Sequence, residues 1–416
     1  MKARKITQYI NTLIKRPTGR ILVFTGARQT GKTTLTKRVF PDYEYLSIED
    51  PINRIQYAKL TAAQWQELYP RAILDEVQKE PQLVESIKSV YDQWPQPRYI
   101  LLGSSQLLLL EKIKESLAGR CSIIELFPLT IPELATASWT DEMPDSLFQR
   151  YAKNPDKPLA LLPSFLLDKN LAVKKKAWAH YVRFGAYPAL TNPDLSDEER
   201  YNWLRDYVRT YLERDVRDLA SFRDLEPFVK LQHALVLRTA QTLNASSLAT
   251  EIGLSVKTVQ RYIHYLDLSY QTLLLPAWSR NAGKRLVKMP KVHCLDNGVL
   301  QAVLQKRGGL TGAEFESLVV AELYKQLRSV QIYARLYHLR TQTGYEVDLL
   351  LELPQGYIAF EIKMAEKVNL ADLKRLQKLN NLLDKPLLQA FVLSNDEQTY
   401  QIAPNLTAVS AAYFLG

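Results

Sequence analysis

Short apolar runs alternate with helical patterns over the first 127 residues. The runs with the composition of buried strands are ILVFTG (21–26), YEYLSI (43–48), RAILDE (71–76), RYILLGSS (98–105) and CSIIEL (121–126). Helical patterns between them begin at Gly31, near Pro81 and at Gln106. Apolar strands that alternate with helices are typical of a parallel sheet covered on both faces. The sequence therefore predicts an α/β core that ends near Phe127.

The pattern changes three times after this core. Residues 128–225 are helical and interrupted by clusters of Pro, Asp and Asn, which predicts a helical lid and a connecting helix. Residues 226–300 carry a helix, a helix-turn-helix pattern and two apolar strands joined by a polar turn at 280–284. Residues 301–416 return to alternating helices and strands. We expect domains at 1–127, 128–225, 226–300 and 301–416, because a chain of 416 residues is too long for one core.

Composition indicates a folded protein with a basic surface. Hydrophobic residues make up 46% and charged residues 24% of the chain, and Lys plus Arg exceed Asp plus Glu by 54 to 44. A net charge of +10 attracts polyanions, which favours a nucleic-acid partner and leaves an incidentally basic enzyme as the alternative. Cys121 and Cys294 are too few for a disulfide framework. We expect no export signal, no membrane helix and a cytoplasmic location.

A phosphate-binding pattern follows the first strand directly. Gly26 and Gly31 are spaced as in a P-loop, and Lys32 and Thr33 complete the pattern at the start of a helix. Backbone N–H groups would surround the phosphates of ATP, the lysine would contact the β and γ oxygens, and Thr33 would ligate Mg²⁺. The alternative is an incidental Gly-rich turn. The predicted ATP-binding residues are Gly26, Ala27, Arg28, Gln29, Thr30, Gly31, Lys32, Thr33 and Thr34.

Acidic and hydroxyl residues end two later strands of the same core. AILDE ends in Asp75, predicted to hold the magnesium ion, and Glu76, predicted to polarise the attacking water. RYILLGSS offers Ser104 or Ser105 to orient that water, with a helix cap as the alternative role. The predicted cofactors are therefore ATP and Mg²⁺.

Motifs spread over most of the chain carry a family resemblance. They are FTGARQTGKTTL, AILDEVQ, YILLGSSQ, ESLAGR, YLERDV, VHCLDNGVL, FESLVVAEL and EVDLLLE followed by FEIK. The sequence resembles the AAA-type ATPases, and more narrowly a prokaryotic family that joins such a core to a winged helix and a C-terminal nuclease-like domain. The resemblance implies a catalytic arginine that enters the neighbouring subunit's site, and Arg120 occupies that position, with Arg214 a weaker candidate. It also implies a homo-oligomer, with a hexamer as one candidate. A charge that complements a helix end is the alternative role for Arg120.

The middle of the chain has features of a DNA-binding module. Leu248, Ile252 and Leu254 form an apolar face, Gly253 supplies a turn, and Ser255 can cap the second helix of a helix-turn-helix. The following strands would form a basic wing, so that helix and wing contact phosphates together. A plain packing module is the alternative. The residues predicted to contact DNA are Lys257, Gln260, Arg261, Lys284 and Arg285, and Arg280, Lys288 and Lys291 add to the basic surface.

The last domain carries carboxylates in a pattern similar to the restriction-endonuclease-like superfamily. Glu316 lies in a helix, Asp348 in a strand, and Glu361 and Lys363 end the next strand, where residues two apart point the same way. The resemblance implies that Glu316, Asp348 and Glu361 hold Mg²⁺ and that Lys363 orients the attacking water. The superfamily's proline is absent, since Val347 precedes the aspartate. Surface charges without chemistry, or a domain that only holds DNA, are the alternatives.

These patterns predict an α/β protein with a parallel-sheet P-loop core of the AAA type, a helical lid, a winged helix and a C-terminal α/β restriction-endonuclease-like domain. The favoured function is ATP hydrolysis coupled to remodelling, translocating or processing DNA, including branched DNA. A nucleotide-regulated DNA-binding switch without motor activity is one alternative. A protein-remodelling ATPase that uses its basic modules for docking is the other.

Overall fold

The computed structural model describes residues 1–103, 113, 116–211, 224–281, 283, 285, 289–341 and 343–416. Sheets of five, three and six strands mark an N-terminal unit (residues 1–127), a middle unit (residues 224–300) and a C-terminal unit (residues 311–416). Within these ranges no helix combines the length and the apolar character needed to cross a membrane.

The N-terminal unit is built on a fully parallel sheet. Its strands are β1 (Ile21–Thr25), β2 (Glu44–Ser47), β3 (Arg71–Asp75), β4 (Arg98–Leu102) and β5 (Cys121–Glu125), in the order β2-β3-β4-β1-β5. Ile21 and Val23 of β1 pack into one apolar cluster, whereas Leu22 and Phe24 pack into another. Because alternate side chains of a strand point to opposite faces, these two clusters are the two faces of the sheet. The predicted parallel sheet, buried on both sides, is confirmed.

Helices cover both faces of this sheet. Their bounds are α1 (Thr7–Leu13), α2 (Lys32–Val39), α3 (Pro51–Ala58), α4 (Ala62–Leu68) and α5 (Gln82–Gln93). Trp65 of α4 and Ile87 of α5 belong to the cluster of Ile21, and Ile10 of α1 and Leu35 of α2 belong to the cluster of Leu22. The helix that follows the P-loop therefore lies on the same face as the N-terminal helix.

The segment predicted to be a lid packs instead against the C-terminal unit. It contains α6 (Ile131–Ala135), α7 (Leu147–Lys153) and α8 (Leu171–Phe184). Phe148 of α7 and Tyr181 of α8 share one core with Phe360 and Phe414. The ring of Phe148 lies 6.0 Å from that of Phe360 and 5.9 Å from that of Phe414. These helices thus complete the C-terminal core, because their apolar faces are buried there and not over the nucleotide site.

The middle unit follows a connecting helix, α9 (Asp197–Tyr211), and in its described residues combines four helices with a small antiparallel sheet. Gly253, with a φ of 72°, ends the first helix of the predicted helix-turn-helix, and the Ser255 side chain accepts from Thr258 N to cap the second. Both terminators lie where the sequence placed them. The elements are α10 (Glu226–Leu237), α11 (Ala245–Ile252), α12 (Val256–Leu268), β6 (Gln241–Thr242), β7 (Thr272–Leu275), β8 (Lys291–Cys294) and α13 (Asn297–Val303), with strand order β6-β8-β7.

The connection from β7 to β8 corrects the predicted hairpin. The two strands pair antiparallel, but β7 ends at Leu275 and β8 begins at Lys291, so the link is far longer than the polar turn at 280–284. Its first residues pair with the C-terminal unit: Trp278 N donates to His338 O at 2.7 Å and His338 N donates to Pro276 O at 3.0 Å. The predicted wing therefore begins as an added edge of the C-terminal sheet.

The C-terminal unit is a mixed six-stranded sheet crossed by a long buried helix. Strands β9 to β11 are antiparallel neighbours, whereas β11, β12 and β14 run parallel. Its elements are α14 (Gly312–Ser329), β9 (Arg335–Arg340), β10 (Glu346–Glu352), β11 (Tyr357–Ile362), α15 (Leu370–Leu376), β12 (Leu387–Ser394), β13 (Tyr400–Ala403), β14 (Leu406–Ser410) and α16 (Ala411–Leu415), in the strand order β13-β14-β12-β11-β10-β9.

Polar contacts along α14 join this unit to the end of the N-terminal unit. Glu322 and Lys325 form an ion pair of 3.2 Å with neither side chain exposed. The carboxylate also accepts from Ile131 N at 2.7 Å, and the ammonium donates to Leu129 O at 3.2 Å. Since buried charges are stable only when they are paired and hydrogen-bonded, this cluster fixes the chain where it leaves the N-terminal unit.

Candidate functional site

The P-loop turns sharply between β1 and α2 through residues with positive φ. The φ angles are 141° at Gly26, 62° at Gln29 and 88° at Gly31. A β-carbon at Gly26 would lie 2.1 Å from Leu126 O, so that no side chain fits there. Gly26 is therefore required by both its backbone conformation and its close approach to the segment after β5.

Lys32 lies within this loop and is almost completely buried. Its Nζ donates to Gly26 O and Ala27 O, each at 2.8 Å. Thr30 closes the loop by donating its hydroxyl to Ala27 O at 2.9 Å. The lysine ammonium thus sits at the centre of the loop, next to the start of α2, where an anion is stabilised by backbone N–H groups and the helix dipole.

The two residues predicted to hold magnesium are in direct contact. Thr33 Oγ1 donates to Asp75 Oδ2 at 2.7 Å, although they lie on α2 and β3. Tyr45, which sequence reasoning missed, donates its hydroxyl to the same carboxylate oxygen at 2.8 Å. Burial, together with the hydrogen bond to Asp75, raises the pKa of Tyr45, so it remains a donor. Hydroxyl and carboxylate oxygens are the ligands that Mg²⁺ prefers, so these side chains fit the cation.

Glu76 follows Asp75 in a left-handed conformation, with φ of 58° and ψ of 41°. A non-glycine residue rarely adopts these angles, and such strain is found preferentially at functional sites. The turn points Glu76 away from the line of β3, and Gln78 Nε2 donates to its carboxylate. Glu76 thus lies next to Asp75 of the Thr33–Asp75 pair, at the carboxyl ends of the strands, where the P-loop begins.

Arg4 is a second residue that sequence reasoning missed. Its guanidinium donates to Thr30 O of the P-loop at 3.2 Å and to Phe127 O at 2.7 Å. Burial lowers the pKa of Arg4, while Glu133, whose carboxylate lies 3.5 Å from Nε, opposes that shift. A single arginine in a basic N-terminus carries no periodic signal, so only the tertiary structure reveals that it supports the loop.

Tyr270 connects the middle unit to the strand that precedes the P-loop. Its hydroxyl lies 2.9 Å from Thr25 Oγ1 and donates to Glu125 Oε1 at 3.3 Å. Tyr270 has a positive φ of 61°, and its ring packs edge-on against Phe127 with centroids 5.4 Å apart. Ala27 of the P-loop belongs to the same apolar cluster. The middle unit therefore touches both the last residue of β1 and the loop itself.

Arg120 lies at the amino-terminal ends of the strands, whereas the nucleotide site of its own chain lies at their carboxyl ends. It precedes β5, whereas the P-loop follows the parallel strand β1. Its guanidinium is partly exposed and forms a two-bond ion pair with Asp92, at 2.7 and 3.2 Å. Ser104, the predicted water-orienting residue, its neighbour Ser105, and Arg214 lie outside the described residues.

The residues predicted to contact DNA divide into two groups. Lys257, Gln260 and Arg261 are exposed on α12, as the sequence predicted. Arg285 is not: it forms ion pairs with Glu352 at 3.5 Å and Asp384 at 3.1 Å, and only 11% of its side chain is exposed. The prediction of a DNA-facing Arg285 is wrong for this structure, because the segment before β8 lies against the C-terminal unit. Lys284 and Lys288 lie outside the described residues.

The predicted carboxylate site also differs from expectation, although its members do come together. Lys291 Nζ lies 2.7 Å from Glu316, 3.0 Å from Glu346 and 3.6 Å from Asp348. Lys363 Nζ forms an ion pair with Glu361 Oε1 at 2.7 Å. Glu346 was not anticipated as a member, and Lys291 was expected on a basic outer surface.

Two ammonium groups thus neutralise the carboxylates that were predicted to bind metal. Burial raises the pKa of Glu316 to about 8, with Asp348 adding to the effect. Burial likewise raises the pKa of Asp348 and Glu361. Among the described residues, no group of three or more His, Cys, Asp or Glu side chains is arranged to hold a metal ion. The predicted roles of Glu316, Asp348 and Glu361 as metal ligands, and of Lys363 as a catalytic residue, are not supported by this geometry.

Sequence comparison identifies the first part of the chain. Residues 18–135 match the AAA domain family, and this range contains the P-loop, Asp75, Glu76 and Arg120. The match and the arrangement of Lys32, Thr33 and Asp75 around one loop identify this part of the chain as an AAA domain with ATPase activity. Residues 175–309 and 311–414 match two domains of unknown function, DUF8612 and DUF4143.

Relatives match most of this chain at low identity. An uncharacterized protein of Mycobacterium tuberculosis is 26% identical over 406 residues, which cover 95% of this chain and 81% of the relative. An uncharacterized protein of Methanocaldococcus jannaschii is 23% identical over 385 residues, covering 84% of this chain and 76% of the relative.

Solved structures resemble the chain only distantly. A Walker-type ATPase of Pyrococcus abyssi has a TM-score of 0.43 at 13% identity and covers 72% of this chain and 95% of its own. The ORC2 protein of Aeropyrum pernix has a TM-score of 0.21 at 12% identity, covering 79% and 99% respectively. Likenesses this distant carry no argument about the function of this chain.

Proposed function

We propose that this AAA-type ATPase couples ATP hydrolysis to work on DNA through the middle unit, which we interpret as a winged helix. The observation that carries the proposal is the hydrogen bond between Tyr270 and Thr25, which joins the helix-turn-helix unit to the strand that ends in the P-loop. A shift of the loop on nucleotide binding would reach the DNA-facing helix through this contact.

The nucleotide site suits hydrolysis with Mg²⁺. Lys32 would exchange its carbonyl partners, Gly26 and Ala27, for the β and γ phosphates. Thr33 and Asp75 would hold the cation, directly and through water, and Tyr45 would keep the aspartate oriented. Magnesium would neutralise charge on the phosphates. Glu76 would orient the attacking water and accept its proton.

We propose that Arg120 acts on the nucleotide of a neighbouring subunit, in a homo-oligomer. The position of Arg120 supports this, because it precedes β5 at the amino-terminal ends of the strands. Its own P-loop follows the parallel strand β1 at the carboxyl ends. Asp92 holds the guanidinium in the single chain, and the γ-phosphate of the neighbour would replace that carboxylate. A planar guanidinium stabilises charge on a transferring phosphoryl group.

Helix α12 is the proposed DNA-binding element. Lys257, Gln260 and Arg261 are exposed on it, while Val259 and Ile263 anchor its other face in the core of the middle unit. Lysine and arginine on one exposed helix face suit phosphate contacts, and the net charge of +10 supports a polyanionic partner. Cleavage of DNA is not part of this proposal, because Lys291 and Lys363 occupy the carboxylates that would bind metal.

The deciding experiment compares ATP turnover without DNA and with single-stranded, duplex, forked and four-way DNA. We expect at least one DNA form to stimulate turnover, and the stimulation should disappear in Lys257→Ala/Arg261→Ala. No stimulation by any DNA form would favour a protein-remodelling ATPase. Stimulation without strand displacement or movement along DNA would favour a nucleotide-regulated switch.

A further inference from the structure

Lys291 joins the middle unit to the C-terminal unit through three carboxylates. The lysine begins β8, Glu316 lies near the start of α14, and Glu346 and Asp348 lie two apart in β10. Only 3% of the Lys291 side chain is exposed. Lysine is almost never buried to this extent unless it is paired, and an ammonium has three donors, the number of carboxylates around it.

One further oxygen of the cluster has a partner on a third element. Asp348 Oδ2 accepts from Ile362 N at 2.8 Å, so this carboxylate is held by β11 on one side and by Lys291 on the other. Beside the cluster, Cys294 N donates to Ser317 Oγ at 2.9 Å, which fixes β8 against α14 next to Glu316. The lysine is thus positioned by a second contact between the same two elements.

We propose that Lys291 is the resident cation of this cluster and that it clamps β8 to the C-terminal unit in place of a divalent metal ion. A hard divalent cation needs the same carboxylate oxygens that the ammonium contacts. Three carboxyl groups surround one ammonium, so the cluster holds more acidic groups than the lysine alone can balance. As arranged around the ammonium, these described carboxylates do not form a metal site, and removing the ammonium should let them close around a divalent ion.

The test is Mn²⁺ binding to nucleotide-free protein, counted by electron paramagnetic resonance. The wild-type chain should bind no Mn²⁺ at the cluster, whereas Lys291→Met should bind one ion more, and Asp348→Asn in that background should remove it. Lys306→Met is the matched control. Lys306 forms an ion pair of 2.6 Å with Glu314, which lies on α14 like Glu316, but this pair is outside the cluster. The control should match the wild type.

Two further variants keep the test decisive if Lys291→Met folds poorly. Lys291→Arg retains the charge and should exclude Mn²⁺ like the wild type. Lys291→Met combined with Glu346→Gln removes one charge of each sign, because Glu346 lies 3.0 Å from the ammonium, so it should melt at a higher temperature than Lys291→Met alone.

Two results would overturn the proposal. One is Mn²⁺ bound to the wild-type chain and lost in Asp348→Asn, because the cluster would then be a metal site that displaces the lysine. The other is a Lys291→Met/Glu346→Gln variant that melts no higher than Lys291→Met, because the charge of Glu346 would then not be balanced by Lys291. Neither result would bear on ATP turnover, which is measured at a separate site.

Discussion

The hydroxyl of Tyr270 lies 2.9 Å from Thr25 Oγ1, although the two residues are 245 positions apart in the chain. Thr25 is the last residue of β1, and Gly26 begins the P-loop directly after it. Tyr270 follows α12, the helix that carries the proposed DNA contacts. One hydrogen bond therefore lies between the two surfaces whose activities the proposed function must couple.

Tyr270→Phe tests this coupling, because it removes the hydroxyl and keeps the ring against Phe127. The hydroxyl contacts both Thr25 and Glu125, and its loss should lower the free energy of unfolding by about 1 kcal/mol or more. Basal ATP turnover should persist, and its stimulation by DNA should fall. Tyr324→Phe is the control, since that ring also packs against Phe127, at 5.4 Å. Equal stimulation in both variants and the wild type would remove Tyr270 from the coupling.

Lys32→Ala should abolish tight nucleotide binding, because it removes the cation that faces the phosphates. Glu76→Gln should bind ATP and trap it, because only the water-orienting carboxylate is lost. Binding of a fluorescent ATP analogue and phosphate release measure the two effects separately. Lys88→Ala, on α5 and paired with Glu85, should change neither. ATP turnover at the wild-type rate in Lys32→Ala would contradict the assignment of the site.

Arg120→Ala should slow hydrolysis by about 10³-fold or more while leaving nucleotide affinity nearly unchanged. Mixing Arg120→Ala with Glu76→Gln should restore part of the activity, since some mixed interfaces combine an intact Arg120 with an intact Glu76. Arg71→Ala is the matched control, because Arg71 is also an exposed arginine paired with an aspartate, Asp42. Full turnover by a monomer would show that no neighbouring subunit is needed.

Lys257→Ala with Arg261→Ala should weaken DNA binding and flatten its salt dependence, by roughly one unit of the log-log slope per lost phosphate contact. Arg285→Ala should instead leave that slope unchanged and lower stability, because its guanidinium binds Glu352 and Asp384. Fluorescence anisotropy over a range of salt concentrations distinguishes the two variants. A reduced salt slope in Arg285→Ala would show that Arg285 contacts DNA.

Glu316 should make stability fall as pH rises. Its pKa is raised from 4.5 to about 8 by burial, with Asp348 adding to the shift. Between these pH values the folded chain therefore retains a proton that the unfolded chain releases. The contribution of Glu316 to the free energy of unfolding is fully present below pH 4.5 and is lost as pH rises to about 8. As pH rises between these limits, the free energy of unfolding of Glu316→Gln should increase by about 1 kcal/mol or more relative to that of the wild type. If the difference in unfolding free energy between Glu316→Gln and the wild type were the same at both ends of this pH range, the pKa shift would be contradicted.

Local pattern was sufficient for the parallel sheet and the nucleotide loop. Apolar strands, Gly26 and Gly31, and the acidic end of β3 are encoded within a few residues of one another, and a parallel sheet brings the carboxyl ends of its strands to one edge. The turn at Gly253 and the cap at Ser255 were predictable for the same reason, since each depends on one residue and its immediate neighbours.

Only the tertiary structure decided which partner each charged residue meets. Arg4, Tyr45 and Tyr270 reach the nucleotide site from distant segments, and no local period indicates such contacts. Lys291 and Arg285 fitted a basic outer surface by sequence, yet the long connection before β8 turns both towards carboxylates of the C-terminal unit. A charged side chain can be stabilised by solvent, by phosphate or by a buried carboxylate, and the sequence does not distinguish these environments because burial depends on how whole units pack.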